Sequence, residues 1–246
     1  MGKVNYSAFH RNTAKHLNDL ASIFESNEIC TDVSPLRKAA VQCRRSKDKD
    51  KYWGYDIDRL IFYVGAARHV TPKGVHDIIV ALDVSVKGEC GEAASTDDPL
   101  TDLTIDMTIQ GRTDNNKTLI CTWHLDRHID VDTSAVPKEA HPRYHFQFGG
   151  RGMKGLSDLG DALILEPPRL AHPPLDGILA IDFVLSNFCP DKWRQLRQNN
   201  QYVNLIIEAQ QLLWRPYANV ITSAWNPVGE ELRWLPHHIW PQLVSA

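Results

Sequence analysis

The sequence predicts an α+β fold: a four- to five-stranded antiparallel meander flanked by N-terminal and C-terminal helices. Apolar residues recur at helical spacing in the first third of the chain and again in the last third. Between residues 78 and 148, four segments instead alternate apolar and polar residues with a period of two. Such alternation is typical of antiparallel sheets with one covered face, whereas parallel sheets use continuous apolar strands.

The first third predicts three helices. A helix begins after Ser7, a favourable N-cap, and its apolar positions continue to Phe24. A second begins at Ser34 and Pro35, because proline at the first helical position gives up an amide hydrogen that would be unbonded there anyway. A third is predicted over residues 56–69 and is ended by Pro72. Its apolar positions are Leu60, Ile61, Val64 and Ala67.

The middle third predicts the meander. Its strands are expected near residues 78–86, 102–110, 118–129 and 143–148. The turn between the second and third of these strands falls at Asp114, Asn115 and Asn116. A glycine-rich loop over 149–160 and a short strand over 162–165 follow.

The last third predicts helices again, after a stiff connector. Two proline pairs enclose Arg169 and His172 and favour an extended chain. Residues 175–188 are apolar nearly all round, which indicates a buried helix. Residues 191–214 predict a longer amphipathic helix that Pro216 ends. The tail is expected to be irregular, with three tryptophans packed on the body: Trp225, Trp234 and Trp240.

Length and composition indicate one domain. The 246 residues suffice for a single α+β domain with a helical part over 1–72, a sheet over 73–166 and a second helical part over 167–246. A net charge of −3 gives no general attraction for nucleic acid or for an anionic membrane. There is no run of about 18 apolar residues, so we expect no membrane span.

Cysteine usage indicates a reducing compartment. The five cysteines are odd in number, scattered along the chain and never spaced as CxxC. This pattern argues against a disulfide framework and against a thiolate zinc site. The first residues also lack the apolar core of a signal peptide. We therefore expect a cytoplasmic protein.

One candidate site stands out, on the polar side of the third and fourth predicted strands. Side chains two residues apart emerge on the same side of a strand, so His124, Asp126 and His128 share a face. Arg143 and His145 share a face in the same way, and pairing of the two strands would join the sets. Histidine and carboxylate groups are ligands of divalent metals.

This face supports two interpretations. A divalent metal held by His124, Asp126, His128 and His145 would make the protein a metal-dependent hydrolase or nuclease, with Asp126, His145 and Arg143 in the chemistry. Alternatively, these residues belong to an ordinary hydrated face, because the polar sides of the first two predicted strands are hydrophilic as well. The second interpretation is the simpler one.

Other charged residues suggest further sites. Arg151, Arg169 and His172 form a candidate anion-binding group beside the glycine-rich loop. Asp182 lies within the apolar helix, so we expect it to be paired, with Arg169 or Arg143 as the partner. The basic stretch over 37–51 is a candidate for nucleic-acid binding, although a solvated loop explains it better.

No strong catalytic motif is present, and in particular no GxSxG elbow. The order helix, meander, proline-rich loop, helices is similar to that of ubiquitin-conjugating-enzyme-like folds. However, the loop over 149–176, where that family carries its catalytic cysteine, contains no cysteine. The leading hypothesis is therefore a cytoplasmic, non-catalytic binding or adaptor module within a protein assembly, because tryptophan and arginine are enriched at interface anchors.

Overall fold

A computed structural model describes residues 6–45, 51–64, 74–90, 98–128, 141–149, 153, 169–225 and 235–243. Its elements follow one another as helix, sheet and helix. In chain order they are α1 (Tyr6–Ser26), α2 (Ser34–Arg45), β1 (Tyr52–Tyr63), β2 (Val75–Glu89), β3 (Leu100–Thr113), β4 (Thr118–Arg127), β5 (Tyr144–Phe148), β6 (Leu170–Ala171), α3 (Gly177–Phe188), α4 (Pro190–Leu196), α5 (Asn200–Ser223) and α6 (Pro236–Ile239).

The strands form one antiparallel sheet in meander order, β1 to β6, which confirms the predicted fold class. Within the described ranges the sheet has six strands, one more than the largest number predicted. The predicted hairpin of the third and fourth polar segments is confirmed as the pair β4 and β5. None of the described helices combines the length and the apolarity that a membrane crossing requires.

Helices cover one face of this sheet. Phe24 of α1 meets Phe62 of β1 edge-on, with ring centroids 6.2 Å apart. Phe183 of α3 stacks on Phe146 of β5 at 4.9 Å. The strand residues of the same parity are buried with them, among them Val80, Leu82, Val84, Leu103, Ile105, Met107 and Leu125. Residues of the opposite parity make a second, polar face.

The prediction of a third helix over 56–69 was wrong, since β1 occupies most of that segment. Trp53, Tyr55 and Ile57 alternate into the core, and a bulge then shifts the register between Ile57 and Leu60. At the bulge Arg59 has a φ of 51°, and its amide donates to Asp83 Oδ1 at 2.8 Å. The bulge places Ile57 and Leu60, three residues apart, on the same face, and this spacing imitates a helix.

The predicted helix over 191–214 is two helices, α4 and α5. Asn199 separates them and caps α5, because its Oδ1 accepts the amides of Gln201 (2.9 Å) and Tyr202 (3.1 Å). Pro216 does not end α5, which continues to Ser223. The buried positions of the helix continue past the proline at Tyr217 and Val220, so packing outweighs the lost backbone hydrogen bond.

The C-terminal tail is only partly as predicted. Residues 235–243 include the short α6, whose Ile239 is buried. Trp225 and Trp240 are 58% and 43% exposed and are not packed into the core. Trp234 and the strand predicted over 162–165 lie outside the described residues.

Asp182 is paired as predicted, but with a different residue. Its Oδ2 accepts from Arg197 Nη2 at 2.7 Å, and its Oδ1 accepts from Trp193 Nε1 and from the Tyr202 hydroxyl, both at 2.9 Å. The prediction of Arg169 or Arg143 as its partner was wrong, because one turn of α4 and the start of α5 pack directly on this side of α3. The carboxylate therefore joins three helices.

Asp176 caps α3 from a buried position. Its Oδ1 accepts the amide of Leu179 at 2.9 Å, and burial raises the pKa of the carboxyl to about 6 although backbone amides act in the opposite direction. Because the folded pKa is raised, the favourable contribution of this group is present at low pH and is lost as the pH rises through about 6.

Two substitutions separate the cap from the charge. Asp176→Ala is expected to lower the free energy of unfolding by about 1–2 kcal/mol, since it leaves buried helix amides without an acceptor. Asp176→Asn caps equally well and buries no charge, so at neutral pH it should match the wild type or exceed it. Urea unfolding measures both. Equal losses in the two variants would contradict a capping role.

Candidate functional site

A broad recess opens on the polar face of the sheet, over β3, β4 and β5. Its volume is about 850 Å³. Its wall is rich in histidine and aspartate side chains, and neither helices nor apolar side chains make up most of it. The lining residues that carry the chemistry are Asp83, Asp106, His124, Asp126, His141, His145 and Arg169, with Thr104, Thr108, Thr122 and Gln147 between them.

Strand register explains this composition, because polar residues of adjacent strands stand opposite one another. One row across the sheet runs through Ser85, Thr104, Asp126 and His145. The next row runs through Asp83, Asp106, His124 and Gln147. The alternation that buries the apolar side chains thus collects the polar ones into two parallel rows.

His145 lines the recess and is only 3% exposed. Its Nδ1 lies 3.2 Å from the carbonyl oxygen of Pro142, which can only accept, so Nδ1 carries the proton and Nε2 is an acceptor. Among the described residues Nε2 makes no hydrogen bond. Burial lowers the pKa of His145 to about 4, and the nearby His141, Arg169 and His124 act in the same direction.

Imidazole rings continue from His145 along the wall of the recess. The His141 ring meets the His145 ring edge-on at 4.6 Å and stacks on the His128 ring at 3.9 Å. In the same recess, His124 Nε2 lies 3.7 Å from Asp126 Oδ2. Sequence reasoning missed His141, because it precedes Pro142 in a connection without periodicity. The only signal was its position two residues before the fourth polar segment.

The other side of the recess is acidic. Asp83 of β2 and Asp106 of β3 are direct cross-strand neighbours. Both also line a smaller adjoining recess of about 130 Å³, together with Asp56 and Asp58. Like charges directly opposite each other destabilise a sheet. The direct opposition of these two carboxylates is therefore unfavourable in itself.

The predicted chemical residues are only partly brought together. His124, Asp126, His128, His145 and Arg169 line the same recess. Arg143 does not line it. Its charge instead lowers the pKa of Asp98, although burial is the stronger effect and raises that pKa overall.

The predicted anion-binding group is divided. Arg169 faces the recess, but His172 lies on the helix-covered face, where its ring contacts Phe146 at 4.8 Å and Phe183 at 5.7 Å. Arg151 lies outside the described residues. An anion site built from all three is therefore not assembled by the described part of the chain, since the sheet separates Arg169 from His172.

The predicted metal site stays a prediction. Within the part of the chain that the structure describes, no three His, Cys, Asp or Glu side chains are arranged so that they could hold a metal ion. Stacked rings such as those of His128 and His141 present their faces to each other, whereas metal coordination uses the nitrogen lone pairs in the ring plane.

The predicted nucleic-acid stretch over 37–51 is described in part, because residues 46–50 lie outside the described ranges. At its ends, Arg37 Nη2 lies 2.5 Å from Glu25 Oε2, and Lys51 Nζ lies 3.2 Å from Glu89 Oε1. These carboxylates partly neutralise the positive charge at both ends of the stretch. Nucleic-acid binding through it remains untested.

All five cysteines are free thiols, as the scattered spacing predicted.

No protein-family model matches the chain, and neither a curated protein sequence nor a solved structure matches it significantly.

Proposed function

We propose that the protein is a non-catalytic binding module that works within a protein assembly and takes up a polar group in the recess on its sheet face. The hydrophobic core is complete on the helix-covered side, so the recess is not needed for core packing. Its wall offers hydrogen-bond acceptors and hydroxyl groups. As part of the same proposal, we place the protein in a reducing cytoplasm.

The acceptor nitrogen of His145 is the observation that carries this proposal. Within the described residues no hydrogen bond to His145 Nε2 is found, and its side chain, 3% exposed, lines the recess. A bound donor would satisfy it.

The test is to block the recess without disturbing the core. Thr104 is exposed in the middle of β3 and lines the recess, so Thr104→Trp should fill the space with an indole ring. Thr118 is exposed at the start of β4 on the same face but does not line the recess, so Thr118→Trp is the matched control.

Binding is read from the imidazole signals of histidine-labelled protein in NMR titrations with three probes: N-acetyl-arginine amide, glucose and inorganic phosphate. We expect at least one probe to shift the His145 and His124 signals saturably in the wild type and in Thr118→Trp, and not in Thr104→Trp. If none of the three does so, or if Thr104→Trp responds like the control, the proposed function is wrong.

A metal-dependent hydrolase is a second candidate. The observation behind it is that His124, Asp126, His128 and His145 line one recess, because imidazole and carboxylate groups are ligands of divalent metals. Elemental analysis of protein purified without an affinity metal decides between the two. Stoichiometric zinc or manganese that His141→Ala removes would favour the hydrolase, and its absence would count against it.

A further inference from the structure

We propose that Cys90 is a modification site that hydrogen peroxide oxidises to a sulfenic acid, with His10 as the base and the Trp53 indole as a hydrogen-bond donor to the added oxygen. The three side chains are buried where α1 packs on the helix-covered side of the sheet. The recess lies on the other face, so the oxidation does not depend on the proposed function.

His10 is oriented so that it accepts a hydrogen bond from Cys90. Its Nδ1 lies 3.1 Å from the backbone carbonyl oxygen of Cys43, and because a carbonyl oxygen can only accept, Nδ1 carries the proton. Nε2 is therefore an acceptor, and the Cys90 thiol donates to it with Sγ 3.4 Å away. A nucleophile, a base and a group that orients the base thus follow one another in hydrogen-bonding contact, which is the arrangement that activates nucleophilic side chains.

The partners of the other thiols differ from that of Cys90. All five cysteines lie within the described ranges. The thiols that donate to backbone carbonyl oxygens, which cannot take up a proton, are those of Cys30, Cys43 and Cys189. Cys121 is hydrogen-bonded to the indole of Trp123, which is a donor only. Among these described contacts, only that of Cys90 is with a group that can take up its proton.

The protonation state of Cys90 makes a base necessary. Burial raises the pKa of Cys90 to about 11, so the resting group is a thiol, whereas the thiolate is the nucleophilic form. Attack on an oxidant therefore requires that the proton leave as the new bond forms, and His10 Nε2 is within hydrogen-bonding distance of it. Burial raises the pKa of Cys30 and Cys43 as well, and their carbonyl partners give the proton no such route.

The reaction is complete with hydrogen peroxide as the co-reactant. The Cys90 sulfur attacks one peroxide oxygen, so that a sulfur–oxygen bond forms and the oxygen–oxygen bond breaks. The thiol proton moves to His10 Nε2 and from there to the departing hydroxide, which leaves as water. The sulfur is oxidised by two electrons, the peroxide is reduced by the same two, and the imidazole returns to its neutral form.

The Trp53 indole supplies a donor for the added oxygen. Trp53 is 3% exposed, and its Nε1 makes no hydrogen bond among the described residues. The indole lies over its cross-strand partner Gly88, because Nε1 is only 2.8 Å from the place that a Cβ would take there. Cys90 is buried two residues further on, about 7 Å along the chain on the same side. An oxygen on its sulfur shortens this gap and gives the buried N–H an acceptor.

The burial of Cys90 selects a small oxidant. The residue is only 5% exposed, so a hydroperoxide with a bulky substituent is excluded from the sulfur, whereas hydrogen peroxide is little larger than water. The product is reversible, because a sulfenic acid reacts with a second thiol and is then reduced.

The experiment treats the full chain with hydrogen peroxide in the presence of dimedone, which captures sulfenic acids, and locates the label by peptide mass spectrometry. We expect Cys90 to be labelled first, although Cys30 and Cys121 are more exposed. With tert-butyl hydroperoxide at the same concentration, labelling of Cys90 should be at least about tenfold slower, because access limits oxidation. Labelling of Cys30 or Cys121 before Cys90 would overturn the proposal, and this comparison needs no variant.

Two variants on α1 test the base. His10→Gln removes the basic nitrogen but keeps a polar side chain, and it should slow the labelling of Cys90 at least about tenfold. His16→Gln is the control on the same helix, since His16 Nε2 contacts Glu208 and no thiol, and it should leave the rate as it is. Circular dichroism checks that both variants are folded. Equal labelling rates in folded His10→Gln and in the wild type would show that His10 is not the base.

Trp53→Phe tests the donor, because it removes the indole N–H and keeps an aromatic ring. Peroxide is first destroyed with catalase and dimedone is added after a delay, so that the label measures how long the sulfenic acid survives. We expect the survival time to shorten in Trp53→Phe, since the added oxygen loses its hydrogen bond. An unchanged survival time would mean that the indole does not contact the oxidised sulfur.

Discussion

Asp182→Ala is expected to lower the free energy of unfolding by about 3 kcal/mol, the largest effect of a single substitution that we predict, because breaking a buried ion pair leaves its partners uncompensated. The Asp182 and Arg197 side chains are 13% and 31% exposed, so solvent screens the pair only weakly. Removal of the carboxylate also leaves the Trp193 indole and the Tyr202 hydroxyl without an acceptor. Urea unfolding followed by circular dichroism measures the loss.

A double variant tests the cause of this loss. Asp182→Leu combined with Arg197→Met removes both charges and keeps a similar volume, so it should recover a substantial part of the stability. The cation–π contact of Arg197 with the Trp193 ring, 4.8 Å from its centroid, limits full recovery. A double variant that is as unstable as Asp182→Ala would show that packing, and not the unpaired charge, causes the effect.

Residues 56–69, predicted as a helix and found largely in β1, show which parts of the fold the sequence predicts and which it does not. Period-two alternation predicted β2 to β5 well, and in β2 and β3 one side chain in every two is buried over much of the strand. In β1 the bulge at Asp58 and Arg59 breaks that parity. A bulge depends on backbone geometry and on the Asp83 carboxylate 24 residues away, neither of which a local pattern contains.

The sequence predicts the site only where alternation along a strand determines which residues share a face. Alternation alone placed His124, Asp126 and His145 on one face, and the hairpin brought them together as expected. To predict that Asp83 and Asp106 stand opposite each other, the register of β2 and β3 must be known. To predict that the His141 ring contacts the rings of His128 and His145, the path of the segment before β5 must be known. Arg169 and His172 flank β6, and successive residues along a strand face opposite sides of the sheet. Because the two residues are three positions apart, their side chains lie on opposite faces.

Acidification is expected to destabilise the protein through His145. Its folded pKa is lowered to about 4 by burial, with smaller contributions from His141, Arg169 and His124, whereas an unfolded histidine titrates near 6.5. Between these values the unfolded state binds the proton and the folded state does not, so stability falls as the pH falls. The contribution is complete above about pH 6.5, and its full loss amounts to about 3 kcal/mol below the folded pKa.

His145→Asn isolates this effect, since asparagine can still donate to the Pro142 carbonyl from the position of Nδ1 but does not titrate. At about pH 7.5 the variant should be less stable than the wild type, because it leaves a cavity. The difference should shrink by about 2 kcal/mol at about pH 4.5, where the wild type loses the contribution of the neutral ring. Asp176, whose pKa is raised to about 6, acts in the opposite direction in both proteins and so cancels from this comparison. A difference in unfolding free energy that stays constant over this range would mean that His145 is protonated as easily in the folded protein as in the unfolded chain.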